Sequence, residues 1–139
     1  MLDELASRML ASNSLAIVWQ KLKKNMAESF VNWPFGEADI QEPNAAAVLA
    51  VTVKNTMTIV KCKTAMAADM TVNVTLHTEL KRGAILQIIA ASDATARAVT
   101  YGDNMNAPAT AGTISKTKAQ TLVFDGTAFN AIGTAVQID

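Results

Sequence analysis

The sequence KRGAILQIIAASDATARAVTYGDNMNAPATAGTISKTKAQTLVFDGTAFNAI, residues 81–132, strings short segments of strand character together and ends in a hairpin. The hairpin signal is an apolar run at 121–124, then Asp125-Gly126, then 127–132. A two-residue type I′ turn needs φ > 0 at both central positions, and Asp-Gly meets that need at low cost. Upstream, a turn at Lys81-Arg82-Gly83 leads into the nearly unbroken apolar run 84–91. Such a run predicts a strand buried on both faces in the middle of a sheet. Segments 97–101 and 113–118 read as further strands, and Asp103-Asn104-Met105-Asn106-Ala107-Pro108 reads as a long polar connection between them.

The same period of two extends back to about residue 47. Leu49, Val51 and Val53 share one phase, and 57–63 forms the next run. In 70–77, Met70, Val72, Val74 and Leu76 alternate with Thr71, Asn73, Thr75 and His77, the pattern of a half-buried strand. About eight short strands at intervals of roughly 8–12 residues imply a mainly β domain, an antiparallel sandwich or barrel. No internal repeat stands out.

Before residue 47 the period is different. Leu2, Leu5, Met9, Leu15, Val18, Leu22 and Met26 recur at spacings of three and four, which predicts helix over 1–33. Ala11-Ser12-Asn13-Ser14 interrupts the pattern, and Ser12, Asn13 or Ser14 can cap a second helix. Trp33-Pro34 ends it, because the residue before proline is pushed out of the α region. Gly36 and EADIQEPNA then read as linker. The expected organisation is a helical arm and linker, 1–45, followed by a β domain, 46–139. The arm's apolar surface is broader than one narrow stripe, which fits either cover for its own domain or attachment to another surface. Leu15, Val18, Trp19, Leu22, Met26, Phe30 and Trp33 are the candidate attachment residues.

Half of the 139 residues are hydrophobic, but aromatics make up only 5%. A core of small side chains is thin, and a thin core favours continuation across subunit boundaries. Tyr101, Phe124 and Phe129 are the candidate packing anchors of the β domain. Acidic and basic residues balance at 12 each, with no basic stripe, so nucleic acid is not an expected partner. No apolar run approaches the roughly 20 residues of a membrane span, and the opening MLDELASRML lacks the cationic start of a signal peptide.

Little in the chain suggests reaction chemistry. His77 is the only histidine and Cys62 the only cysteine, so a metal site lacks converging imidazole and thiolate ligands. Asp103-Asn104-Met105-Asn106 has the oxygen-rich character of a calcium loop but neither its turn glycine nor its distal glutamate. Asp93 and Asp125 read as turn residues. No nucleophile elbow, phosphate-cradling loop or Cys–His pair is present. The expectation is a protein that is not an enzyme, with no catalytic residues, no metal and no cofactor.

Several of these residues, taken in order, carry a resemblance. Gly83-Ala84-Ile85-Leu86-Gln87-Ile88-Ile89, then Ala96-Arg97-Ala98-Val99-Thr100-Tyr101-Gly102, then 115–118, then Thr121-Leu122-Val123-Phe124-Asp125-Gly126-Thr127-Ala128-Phe129 resemble a β module of tailed-phage structural proteins. The likeness covers about residues 70–132. That module occurs in head fibres, capsid decoration proteins and tail-fibre-associated segments, often as trimers. The resemblance implies a homotrimeric virion protein on the capsid exterior, whose partners are itself and the major capsid protein. The alternative it leaves open is a tail-associated module that binds a host-surface glycan.

Overall fold

The computed structural model describes residues 38–139. The expected helix over 1–33 and its residues Leu15, Val18, Trp19, Leu22, Met26, Phe30 and Trp33 lie outside the described residues. The described part is mainly β, with ten strands: β1 (Ala38–Gln41), β2 (Val48–Val53), β3 (Met57–Lys61), β4 (Met70–Leu76), β5 (Ile85–Ala91), β6 (Val99–Tyr101), β7 (Met105–Asn106), β8 (Thr117–Phe124), β9 (Phe129–Ala131) and β10 (Val136–Gln137). They form two sheets. The larger has seven strands in the order β1-β3-β5-β8-β9-β7, with β10 also paired to β8; the smaller has three, β2-β4-β6.

The antiparallel arrangement expected from the sequence is corrected to a mixed one, and neither sheet closes into a barrel. From β1 to β6 the chain alternates between the sheets, so neighbours within each sheet run parallel: β1 with β3, β3 with β5, β2 with β4, β4 with β6. Parallel neighbours need a crossover between them. Here each crossover is itself a strand of the opposite sheet, and the chain is wound as a short coil. The connections stack as the strands do: Lys63 N–H donates to Pro43 C=O at 2.8 Å, Thr71 N–H to Ala47 C=O at 2.8 Å, and Met66 N–H to Ala91 C=O at 2.8 Å. Only the last third reverses direction, where β8 runs antiparallel to β5, β9 and β10.

Alternation explains which side chains meet. Leu49, Val72 and Tyr101 lie in one cross-strand row of the smaller sheet, and Val51 pairs with Val74. Thr58, Leu86 and Leu122 form a row of the larger sheet, and Val60, Ile88 and Gln120 the next. All of these are buried, and the two inner faces together make the core.

Three local expectations also change. The stretch read as linker contains β1, paired with β3 from Ala38↔Met57 to Gln41↔Val60. The polar connection at 103–108 contains β7, whose Met105 is buried and pairs with Phe129. Residues 113–116 form no strand; β8 starts at Thr117, and Ser115 takes a positive φ of 55°. The central strand β5 is flanked by β3 and β8 as its apolar run suggests, but only its inner face is fully buried. Ile85, Gln87 and Ile89 remain half-buried on the other side.

Candidate functional site

The hairpin at the end of β8 is a tightly hydrogen-bonded turn. Phe124 pairs with Phe129, so four residues connect the strands and not the expected two. Asp125 holds them. Its Oδ1 accepts from Thr127 N–H at 2.8 Å and Ala128 N–H at 2.9 Å, and its Oδ2 accepts from Asn130 Nδ2 at 2.7 Å. Those backbone bonds, and then the Asn130 amide, hold the carboxyl below its usual range. Gly126 sits at φ 104°, and a Cβ there would stand 2.7 Å from Arg82 Nε. Phe124 and Phe129 pack ring to ring with centroids 5.3 Å apart.

Tyr101 anchors a second corner. Its hydroxyl shares a buried 2.7 Å hydrogen bond with Thr110 Oγ1, and burial raises its pKa. Beside it, Arg97 forms a two-pronged contact with Asp93 (3.0 and 3.1 Å), and Arg97 N–H donates to Ser92 Oγ at 3.1 Å. The arginine is the first cause holding the Asp93 carboxyl below its usual range. Gly112 closes this corner: a Cβ there would lie 1.9 Å from Arg97 C=O. The cavity between the sheets at this point, lined by Tyr101, Thr110 and Gln120, measures about 10 Å³, the space of one water. An open groove of about 190 Å³ lies outside it, along Pro108, Lys118, Gln120 and Thr134. That is smaller than the roughly 300 Å³ at which small-molecule sites begin, and no acid lines it.

His77 lies exposed just beyond β4, where its Nδ1 accepts from Glu79 N–H at 3.2 Å. Cys62 is half-buried against the core, and burial raises its thiol pKa. In the loop compared above with a calcium site, Asn104 takes φ 62° and donates from Nδ2 to Val74 C=O at 2.7 Å, while Asp103 N–H donates to Asn73 Oδ1 at 3.0 Å. Among the described residues no three His, Cys, Asp or Glu side chains come together as a metal site.

No family model matches this chain, and no curated protein or solved structure matches it either.

The outer face of the seven-stranded sheet was not foreseen in the sequence. Cross-strand partners point to the same side, so the register fixes its rows. Met57, Ile85 and Val123 form one; Ile40, Ile59, Gln87 and Thr121 form the next; Lys61, Ile89, Ala119 and Val136 form a third. Ile132, whose N–H donates to Thr121 C=O, and Ile138, whose N–H donates to Thr117 C=O, extend the rows. Ile40, Ile132, Val136 and Ile138 are each more than half exposed. One signal for this face was available: isoleucine occupies both phases of 84–91, so one of them had to point away from the core.

Proposed function

We propose that this chain is a virion structural protein, a homotrimeric capsid decoration or head-fibre protein on the exterior of a phage capsid. One observation carries the reading. The residues of the phage-module resemblance fall on or beside β5, β6 and the β8–β9 hairpin, and two of their three glycines take a positive φ. Gly83 and Gly126 have φ of 87° and 104°, and a Cβ on Gly102 would lie 2.1 Å from Asn73 Oδ1. The pattern therefore tracks a fold requirement and not composition alone.

The chemistry of the turns is consistent with a role in assembly. Asp93, Asp125 and Asp139 spend their oxygens on nearby backbone and side-chain donors. The three aromatic side chains among the described residues, Tyr101, Phe124 and Phe129, are buried. Sugar stacking on a tail-associated module would call for exposed rings. In this reading the protein has no reaction centre or cofactor, its partners are its own copies and the major capsid protein, and residues 1–35 supply the attachment.

The test is co-sedimentation of the purified full chain with capsids that lack it. Saturable binding to the capsid shell is expected. Binding to host-surface glycans with no capsid binding would replace this reading with the tail-associated one. A catalytic turnover abolished by changing one carboxylate, with assembly intact, would replace it with an enzyme.

A further inference from the structure

We propose that Asp39 and Gln41 form a polar cap on the first turn of the coil, a device that keeps strands of other copies from adding to its open end. The inference does not rest on the virion reading. It concerns which end of the fold stays out of any assembly.

The two ends of the coil are finished differently. At the far end the main chain supplies the cover. β8 pairs along the whole of β5, and β6 is bridged by Thr110: Val99 N–H donates to Thr110 C=O at 2.9 Å and Thr110 N–H to Val99 C=O at 2.8 Å. At the near end, among the described residues, β1 and β2 are each the outermost strand of their sheet. The ladder shows what β2 presents there. Thr71 N–H donates to Ala47 C=O and His77 N–H to Val53 C=O, so the odd-numbered residues of β2 turn their backbone groups toward β4. Alternate residues of a parallel ladder point theirs in opposite directions. The backbone N–H and C=O of Val48, Ala50 and Thr52 therefore point off the sheet. Such an edge is a template for another strand. Its surroundings favour addition: Val48 and the neighbouring Ile40 of β1 are each 63% exposed, and β2 contains no charged residue and no proline.

Against that template stands the polar pair. Asp39 and Gln41 lie opposite Thr58 and Val60, whose side chains are buried on the inner face, so both turn in between the sheets. In the turns behind them the same two rows hold Thr58 with Leu86 and Val60 with Ile88. Only the first turn places a carboxylate and an amide there, and both residues stay half-buried. Gln41 Nε2 donates to Asp39 Oδ2 and to Thr52 C=O, each at 2.9 Å. The second bond crosses from one sheet to the other and occupies an outward carbonyl of β2. A strand laid on this end would displace the amide and bury the Asp39 carboxylate. A carboxylate buried without a cation is costly, and inward-pointing charge is a recurrent protection of sheet edges. Stacked repeats need polar terminal units for the same reason.

The test is sedimentation velocity of the full chain and its variants over a concentration series, with circular dichroism to confirm the β fold. Asp39→Val with Gln41→Leu removes the charge and both hydrogen bonds and continues the apolar rows. This variant should reach a larger mass than the intact chain at the same concentration. Its Val48, Ala50 and Thr52 amides should exchange more slowly once it associates. Adding Ala50→Pro takes away an outward donor where an edge strand tolerates proline, and should return the mass to that of the intact chain. Gln41→Glu loses the amide donors but keeps negative charge at this end, and should leave the mass unchanged. Gln41→Leu alone carries the comparison if the double variant does not fold.

A folded double variant with the mass of the intact chain overturns the proposal. So does a larger species whose β2 amides exchange as fast as before, or one that survives Ala50→Pro, because the association then lies elsewhere. Gln41→Glu associating as strongly as the double variant overturns it as well. Failure of the intact chain to bind capsids removes the virion reading and leaves the cap standing.

Discussion

Thr58 shows how strictly the inner face is used. It is fully buried on β3, opposite Leu86, and its hydroxyl is buried without a hydrogen-bond partner. A lone buried hydroxyl costs about 1–3 kcal/mol. Thr58→Val keeps the branched shape and removes that cost, so chemical denaturation should show a gain of about 1 kcal/mol. Phe129 is the opposite case, a fully buried ring packed on Phe124. Phe129→Ala should lose about 3–5 kcal/mol in the same measurement. Gly112→Ala forces a methyl against the Arg97 carbonyl and should cost about 1–3 kcal/mol.

Asp125 belongs to the same scale but answers to pH. Its folded pKa lies below the unfolded 3.8, so its contribution is complete above that value and is lost as pH falls through the folded pKa. Asp93 and Asp139 are lowered in the same direction. The melting temperature should therefore hold from neutral pH down to about 5 and fall below about 4. Asp125→Asn should make that acid limb shallower. A melting temperature that rose on acidification would contradict the sign.

At the scale of elements, the coil and the reversed hairpin differ in how well their backbones are covered. β5 and β8 each have partners on both sides, whereas β1 stands at the rim of its sheet. Hydrogen exchange should be slowest in β5 and β8 and fastest in β1 and the short β10. Equal protection of β1 and β5 would show that the rim is covered in solution.

The elements also show what could be read from the sequence. The alternation of Leu49, Val51 and Val53, and of Met70, Val72 and Val74, gives β2 and β4 with their buried faces, because period two records which side a residue faces. It does not record strand direction. Parallel and antiparallel neighbours bury the same alternate residues, and the Asp125-Gly126 signal describes only its own hairpin. A general antiparallel order inferred from the short, evenly spaced strands therefore failed for β1 to β6, whose connections cross to the other sheet. Short strands set by distant partners were invisible for a related reason. β1 and β7 have only four and two residues, and pairing with β3 and β9 determines them more than their own composition does. For the sites, the turn roles of Asp93 and Asp125 were legible because Asx chemistry is local. The outer face was legible only through the isoleucines in both phases of 84–91, since seeing the rest of it needs the register of five strands at once.

At the scale of the whole molecule, the described unit has one core between two sheets and a partly apolar surface outside the larger one. A chain that gains stability from its own copies should melt at a temperature that rises with protein concentration. Scanning calorimetry over a hundredfold concentration range tests this; a constant melting temperature would count against self-association. Removing residues 1–35 should leave a β unit that unfolds cooperatively, while capsid binding disappears. Normal decoration by the shortened chain would move the attachment role elsewhere.

In the proposed function this protein serves a phage particle through shape and contact. Imaging virions that carry the labelled full chain tests it most directly. Label at regular positions on the outer capsid surface, in groups of three, is the result expected. Particles without label, or label confined to the tail, would contradict it.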